Sequence, residues 1–166
     1  MWLEPLLLRG ERRIYNLNRE KKYIVSFSGG KDSTAMLLLL IENNRPIDEI
    51  IFCDTGMEFQ DMYEHIEKVK EMTGLPITVL KSDKSFEYYM FEHVKKSGGI
   101  GYSWCGGVCR WGTTLKLQTL NKHCKNAIQL VGIALDEPHR IKGEPNKIYP
   151  LVDFKMTEKD CLEYCY

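Results

Sequence analysis

The sequence carries no net charge, since lysine plus arginine and aspartate plus glutamate each count 23. A general electrostatic attraction to nucleic acid or to an anionic surface is therefore excluded, and any such contact needs a local basic patch. Long apolar runs are missing as well. No stretch approaches the roughly 18 residues that a membrane span requires, and Leu37 to Ile41 is read as the buried part of one helix. Met1 to Leu8 contains Glu4 and Pro5 and has no basic residues ahead of it. It makes a poor export signal and is read as an arm that docks on the surface. Without such a signal the expected compartment is the cytoplasm. There the six cysteines, Cys53, Cys105, Cys109, Cys124, Cys161 and Cys165, point to reduced thiols, a metal site or buried packing ahead of disulfides. Internal repeats and low-complexity linkers are absent. What remains is 166 residues, 43% of them hydrophobic, enough for one complete core.

Hydrophobic patterning alternates between strand and helix. Tyr23 to Phe27, Glu49 to Cys53, Ile77 to Leu80 and Ala127 to Ile133 read as strands. Ser33 to Asn43, Phe59 to Thr73, Phe86 to Lys95 and Thr113 to His123 read as helices, the second with Met62, Ile66, Val69 and Met72 inward and Gly74 as its stop. Glu11 to Lys22 reads as a short charged helix, Ile148 to Leu151 as an extended piece, and Thr157 as the cap of a last helix toward Tyr166. Such alternation implies beta-alpha-beta crossovers. The predicted fold is a single α/β domain, Rossmann-like, with a mostly parallel sheet and helices on both faces. Residues 1–22 form the arm and lead-in helix, and 23–166 form the domain. Ligands in such sheets lie beyond the carboxyl ends of the strands, on the rim that collects the loops after Phe27, Cys53 and Ile133.

The loop after the first strand, Ser28-Gly29-Gly30-Lys31-Asp32-Ser33-Thr34, has the chemistry of a pyrophosphate holder. Adjacent glycines let the backbone approach an anion, the amides converge, and the positive end of the following helix adds its partial charge. Lys31 neutralises what the amides cradle, Ser28, Ser33 and Thr34 offer hydroxyls, and Asp32 suits a magnesium ion bridging phosphate oxygens. A G-x-x-x-x-G-K-S/T loop is excluded because Val25 stands five residues before Gly30 and Asp32 follows the lysine. A G-x-G-x-x-G fingerprint is excluded because Gly29 and Gly30 are adjacent and no third glycine follows.

The S-G-G-K-D-S segment resembles the PP-loop of the adenine-nucleotide alpha-hydrolase superfamily. That resemblance implies a grip on the beta and gamma phosphates of ATP and cleavage at the alpha phosphorus. Asp54-Thr55-Gly56-Met57-Glu58-Phe59 is similar to the D-T-G-x-x-F segment of the PAPS (phosphoadenosine phosphosulfate) reductase branch, which implies that Asp54, Thr55 and Gly56 lie near the nucleotide. In the same branch a W-C or C-x-x segment, a basic residue and a downstream lysine line the substrate phosphate site. By that likeness Arg110 and Lys116 are anion ligands, Arg110 bidentate and Lys116 a point charge. Gly132 to Arg140 resembles the branch's G-x-R-x-x-E-S-x-x-R segment and implies substrate-side roles for Glu137 and Arg140. Ala134 and Pro138 replace its basic residue and its serine, which removes a phosphate contact of the 3'-phosphate kind.

The resemblance spans Tyr23 to Tyr166 and implies ATP or a PAPS-like nucleotide as ligand, with Lys31, Asp32 and Asp54 as catalytic residues. The leading expectation is cleavage or activation at the alpha phosphate, in adenylation or sulfur-transfer chemistry, with a sulfur donor or thiol protein and an RNA or DNA acceptor among the partners considered. Reductases of the branch carry a catalytic cysteine in a C-terminal E-C-G-x-H tail. None precedes Tyr166, so sulfonucleotide reduction is the alternative that needs a downstream tail or a partner. A non-catalytic nucleotide-binding subunit is another alternative. Two C-x-x-x-C pairs, Cys105 with Cys109 and Cys161 with Cys165, permit zinc or an iron-sulfur cluster without demanding either.

Overall fold

A computed structural model describes residues 20–102 and 113–166. The expected arm, the expected lead-in helix up to residue 19, and the segment holding Cys105, Cys109 and Arg110 lie outside the described residues. In chain order the elements are β1 (Tyr23–Ser26), α1 (Lys31–Glu42), β2 (Glu49–Asp54), α2 (Gln60–Thr73), β3 (Ile77–Lys81), α3 (Leu115–His123), β4 (Ile128–Val131), β5 (Lys147–Ile148), α4 (Pro150–Asp153) and α5 (Glu158–Cys165). The five strands pair in the order β3-β2-β1-β4-β5, every pair parallel. Because β1 pairs with β2 on one side and β4 on the other, the chain changes direction across the sheet beside β1, opening a crevice at that strand's carboxyl end.

Strand alternation divides the core. Tyr23, Val25, Phe27, Ile50 and Phe52 face one way and pack with Met36, Leu37 and Leu40 of α1, Ile66 and Val69 of α2, Leu151 of α4 and Cys161 of α5. Ile24 and Ile51 face the other way, against Cys124 and Ala127 at the end of α3, with Leu120 alongside. Both faces of the central strands are covered, which is why these strands read as unbroken apolar runs. Truncating Leu37 or Leu40, both fully buried, to alanine costs about 2–5 kcal/mol.

Several sequence expectations shift at their edges. Met72 is 61% exposed instead of inward. Each i+3 step falls about 60° short of a full turn, and two in a row carry it off the Met62-Ile66-Val69 stripe. The helix expected over 86–95 begins as expected but ends early, running over 86–92 with a π-helical turn at Tyr88–Glu92, and is followed by an isolated antiparallel bridge between Val94 and Ile100. After the two-residue β5 the piece expected to be extended turns helical at Pro150, whose fixed φ and missing N–H suit a first helical position.

Candidate functional site

The turn from β1 to α1 is shaped by one backbone requirement and one spatial one. Gly29 has φ +78°, and a Cβ there would stand 2.3 Å from the Met62 thioether sulfur and 3.4 Å from Ile66 Cγ1. Glycine alone meets both conditions. Gly30 follows in an extended conformation as the N-cap of α1 and supplies no side-chain cap. Among the described residues, no protein atom accepts from the first-turn N–H groups of Lys31, Asp32 and Ser33. They add the partial positive charge of a helix start to the sheet's rim.

The cup's hydroxyls are linked. Ser28 and Ser33 Oγ are 3.0 Å apart, Ser33 Oγ accepts from Ser28 N–H at 3.2 Å, and Ser28 Oγ accepts from Gly30 N–H at 3.4 Å. Thr34 is buried, its hydroxyl 3.0 Å from both the Gly30 carbonyl and His65 Nε2. Of the hydroxyls read as phosphate donors, that of Ser28 belongs to an exposed residue, while Ser33 and Thr34 are buried and their hydroxyls both lie 3.0 Å from the Gly30 carbonyl.

Lys31 Nζ pairs with Asp32 Oδ1 at 2.7 Å and with Glu158 Oε1 at 3.2 Å. Burial would lower its pKa, but the two carboxylates outweigh that and hold the ammonium above its ordinary range. Glu158 sits at the first helical position of α5, where Thr157 and Asp160 close a capping box without it and its own N–H donates to Asp136 Oδ1 at 3.0 Å. Glu137, on the 3-10 turn after β4, takes Arg140 through both carboxylate oxygens at 2.7 and 2.6 Å. That guanidinium is the main reason the Glu137 carboxyl lies below its usual range. Asp32, Glu137 and Glu158 each place a carboxylate oxygen within 4.8 Å of the others'. Three hard oxygen donors at the mouth of the cup fit magnesium better than zinc. Gly132 lets the exit of β4 approach the start of α1 closely: a Cβ there would lie 3.1 Å from Ser33 Cα and N, tighter than ordinary contact.

The second rim loop is organised differently. Burial tends to raise the pKa of Asp54, but the Gly56 N–H at 2.7 Å, the Tyr63 hydroxyl at 2.7 Å and Lys81 Nζ at 3.5 Å together hold it below the ordinary aspartate range. Thr55 Oγ1 donates to Glu58 Oε1 at 3.0 Å, and the same oxygen takes the Lys116 ammonium. A small cavity at the ends of β2 and β3 is lined by Cys53, Asp54, Thr55, Lys84, Tyr89 and Lys116, among others. Lys116 and Asp54 thus share a pocket, whereas Glu137 and Arg140 stand with the phosphate loop.

Cys161 and Cys165 face α1. Cys161 is fully buried, and burial, with Asp32 beside it, pushes its thiol up to about 12. The Cys165 thiol donates to the Lys31 carbonyl at 3.5 Å. Among the described residues the only cluster of ligand-type groups is the carboxylate one.

A family model described as the phosphoadenosine phosphosulfate reductase domain matches residues 22–160. The chain belongs to this PAPS reductase domain family. An uncharacterized protein of Methanocaldococcus jannaschii is 36% identical over 127 residues, covering 74% of this chain and 28% of that protein. Adenosine 5'-phosphosulfate reductase 1 of Bacillus subtilis is 42% identical over 62 residues, covering 37% of this chain and 27% of the reductase. The chain thus spans little more than a quarter of the length of either relative. Among solved structures, the U34-tRNA thiolase NcsA from Methanococcus maripaludis, with its 4Fe-4S cluster, superposes with a TM-score of 0.56 at 19% identity, covering 87% of this chain and 55% of that one. That likeness shows the fold, a five-stranded parallel sheet with helices against it. No helix of the described residues is long and apolar enough to cross a membrane.

Sequence reasoning had named Lys31 and Asp32 but missed Glu158, His65 and Tyr63. The only sequence signal for Glu158 was an acid at a helix start whose capping box was already complete. His65 and Tyr63 become visible only once α2 lies across both loops.

Proposed function

We propose that this PAPS reductase domain binds an adenine nucleotide, ATP or a related one, with its polyphosphate tail in the Ser28–Ser33 cup, and that chemistry follows at the alpha phosphorus. The observation that carries this reading is the set of first-turn amides of Lys31, Asp32 and Ser33, unclaimed by protein atoms and set beside the Lys31 ammonium. Such fixed donors hold a departing pyrophosphate without reorganising as charge develops. Lys31, released from Glu158, supplies the counter-charge. Asp32, Glu137 and Glu158 would hold magnesium, which neutralises phosphate oxygens when bound. Arg140, Lys116 and, from the segment outside the described residues, Arg110 would hold the second substrate in line. Activation of an acceptor by adenylation in sulfur-transfer chemistry, in the cytoplasm, is the activity that best joins these parts.

The likeness to an adenosine 5'-phosphosulfate reductase supports a second reading, in which a sulfonucleotide occupies the cup and a thiol from elsewhere reduces it. One ligand screen separates the two. Thermal shifts are measured with ATP, adenosine phosphosulfate and PAPS, each with magnesium, on the natural chain and on Lys31→Ala. A ligand at one hundred times its dissociation constant adds about 2.7 kcal/mol, or roughly 5–10 °C for a domain of this size. The preferred ligand selects the reading. A shift that survives Lys31→Ala, or no shift with any of the three, refutes the cup as their site.

A further inference from the structure

Helix α2 touches the phosphate loop at more than one point: Met62 and Ile66 pack beneath Gly29, and His65 meets Thr34. The second contact leads into a crowded set of hydrogen bonds. The Gly30 carbonyl lies 3.0 Å from Thr34 N, 3.0 Å from Ser33 Oγ and 3.0 Å from Thr34 Oγ1. A carbonyl oxygen offers two lone pairs. With one taken by the Thr34 amide, the two hydroxyls compete for the other, each having a single proton to give.

His65 decides the competition. When Nε2 carries hydrogen it donates into Thr34 Oγ1, the Thr34 proton turns to the Gly30 carbonyl, and the Ser33 proton is displaced toward Ser28 Oγ and the cup. When Nε2 is bare it takes the Thr34 proton, Ser33 donates to Gly30, and the cup loses a donor. An anion in the cup needs hydroxyl protons pointing at it and therefore favours the first arrangement. By reciprocity, the first arrangement favours the anion. We propose that His65 is a positioning residue of the phosphate loop: acting through Thr34, its Nε2–H releases the Ser33 hydroxyl to the bound polyphosphate. This rests on the nucleotide reading above and extends it to a side chain that touches no ligand.

The test uses the full chain with ATP and magnesium as the probe, binding measured by calorimetry. One lost hydrogen bond of about 1–1.5 kcal/mol corresponds to roughly tenfold in affinity. His65→Ala leaves the two hydroxyls to share the Gly30 carbonyl and is expected to weaken ATP by at least about twofold, with the roughly tenfold of a wholly lost donor as the ceiling. His65→Gln, which keeps an N–H donor, is expected to bind ATP as the natural chain does. Thr34→Val removes the relay at nearly constant shape, and in that background His65→Ala should have no further effect. A factor that persists beside Thr34→Val, or an unchanged affinity in His65→Ala, overturns the proposal.

Imidazole nitrogen-15 shifts of the natural protein supply a readout that survives misfolding of any variant. Nε2 of His65 must be protonated in the ATP complex, and a bare Nε2 there refutes the relay. The two levels of inference fail differently. Binding lost in Lys31→Ala but untouched in His65→Ala sinks only the relay, whereas no binding of ATP, PAPS or adenosine phosphosulfate to the natural chain sinks the cup.

Discussion

Replacing Gly29 by alanine tests whether the loop between β1 and α1 is held in shape by backbone conformation and by the underside of α2. The residue sits at φ +78°, in the left-handed region, where an L side chain costs about 1–2 kcal/mol. The new methyl would also stand 2.3 Å from Met62 Sδ. That atom lies near the end of a flexible side chain, so the thioether swings away instead of the backbone, and its forced repacking adds about 1–3 kcal/mol. The expected total is about 2–5 kcal/mol, a fall in melting temperature of roughly 5–20 °C for a domain of this size. Urea denaturation of Gly29→Ala with and without Met62→Ala separates the contributions. With the thioether removed, the added cost of Gly29→Ala should shrink to the backbone share of about 1–2 kcal/mol. A Gly29→Ala protein within about 0.5 kcal/mol of the parent would refute the argument, as would an equal cost in both backgrounds.

Gly101→Ala should be harsher: its Cβ would lie 1.8 Å from the Met90 carbonyl oxygen at φ +65°, and backbone cannot swing aside, so thermal melting should show a larger loss than Gly29→Ala. Tyr63→Phe keeps the edge-to-face contact with Phe52 but removes the 2.7 Å hydrogen bond to Asp54, which should cost about 1–2 kcal/mol near neutral pH. Because Asp54 titrates below its unfolded value, that stabilisation is complete above about pH 4 and fades as pH falls through the lower folded value. Urea titrations across that range should therefore show the two proteins converging in acid, and a gap that widens there would contradict the assignment. Burial pushes the thiols of Cys124 to about 11 and Cys161 to about 12. Both should stay unmodified by a thiol reagent in the native protein near pH 8 and react only on unfolding.

The fold was legible where periodicity and burial agree. The apolar runs at 23–27 and 49–53, and the stripe through Met62, Ile66 and Val69, led to the central strands and to α2, because both sheet faces are covered. The short β5 and the helix begun by Pro150 were not legible, since two residues of strand leave no period to detect. The same division runs through the site. Ser28 to Ser33 stands out in the sequence because the role proposed for it needs adjacent glycines, a cation and hydroxyls along consecutive residues. Glu158 meets Lys31 across 127 positions of chain, and Thr34 meets His65 across 31. Such contacts leave no mark on spacing, because they are decided by which helices lie side by side.

Gly132 joins two parts of the molecule that would otherwise stand apart. With only hydrogen where a methyl would press 3.1 Å from the Ser33 backbone, the exit of β4 settles directly onto the opening turn of α1. Any side chain there would press on that turn, between the strand exit that leads to Glu137 and the backbone of Asp32. The approach of the two elements thus turns on an atom that is not there: a methyl at 132 would press on the backbone of Asp32 and Ser33, which would have to give by a few tenths of an ångström.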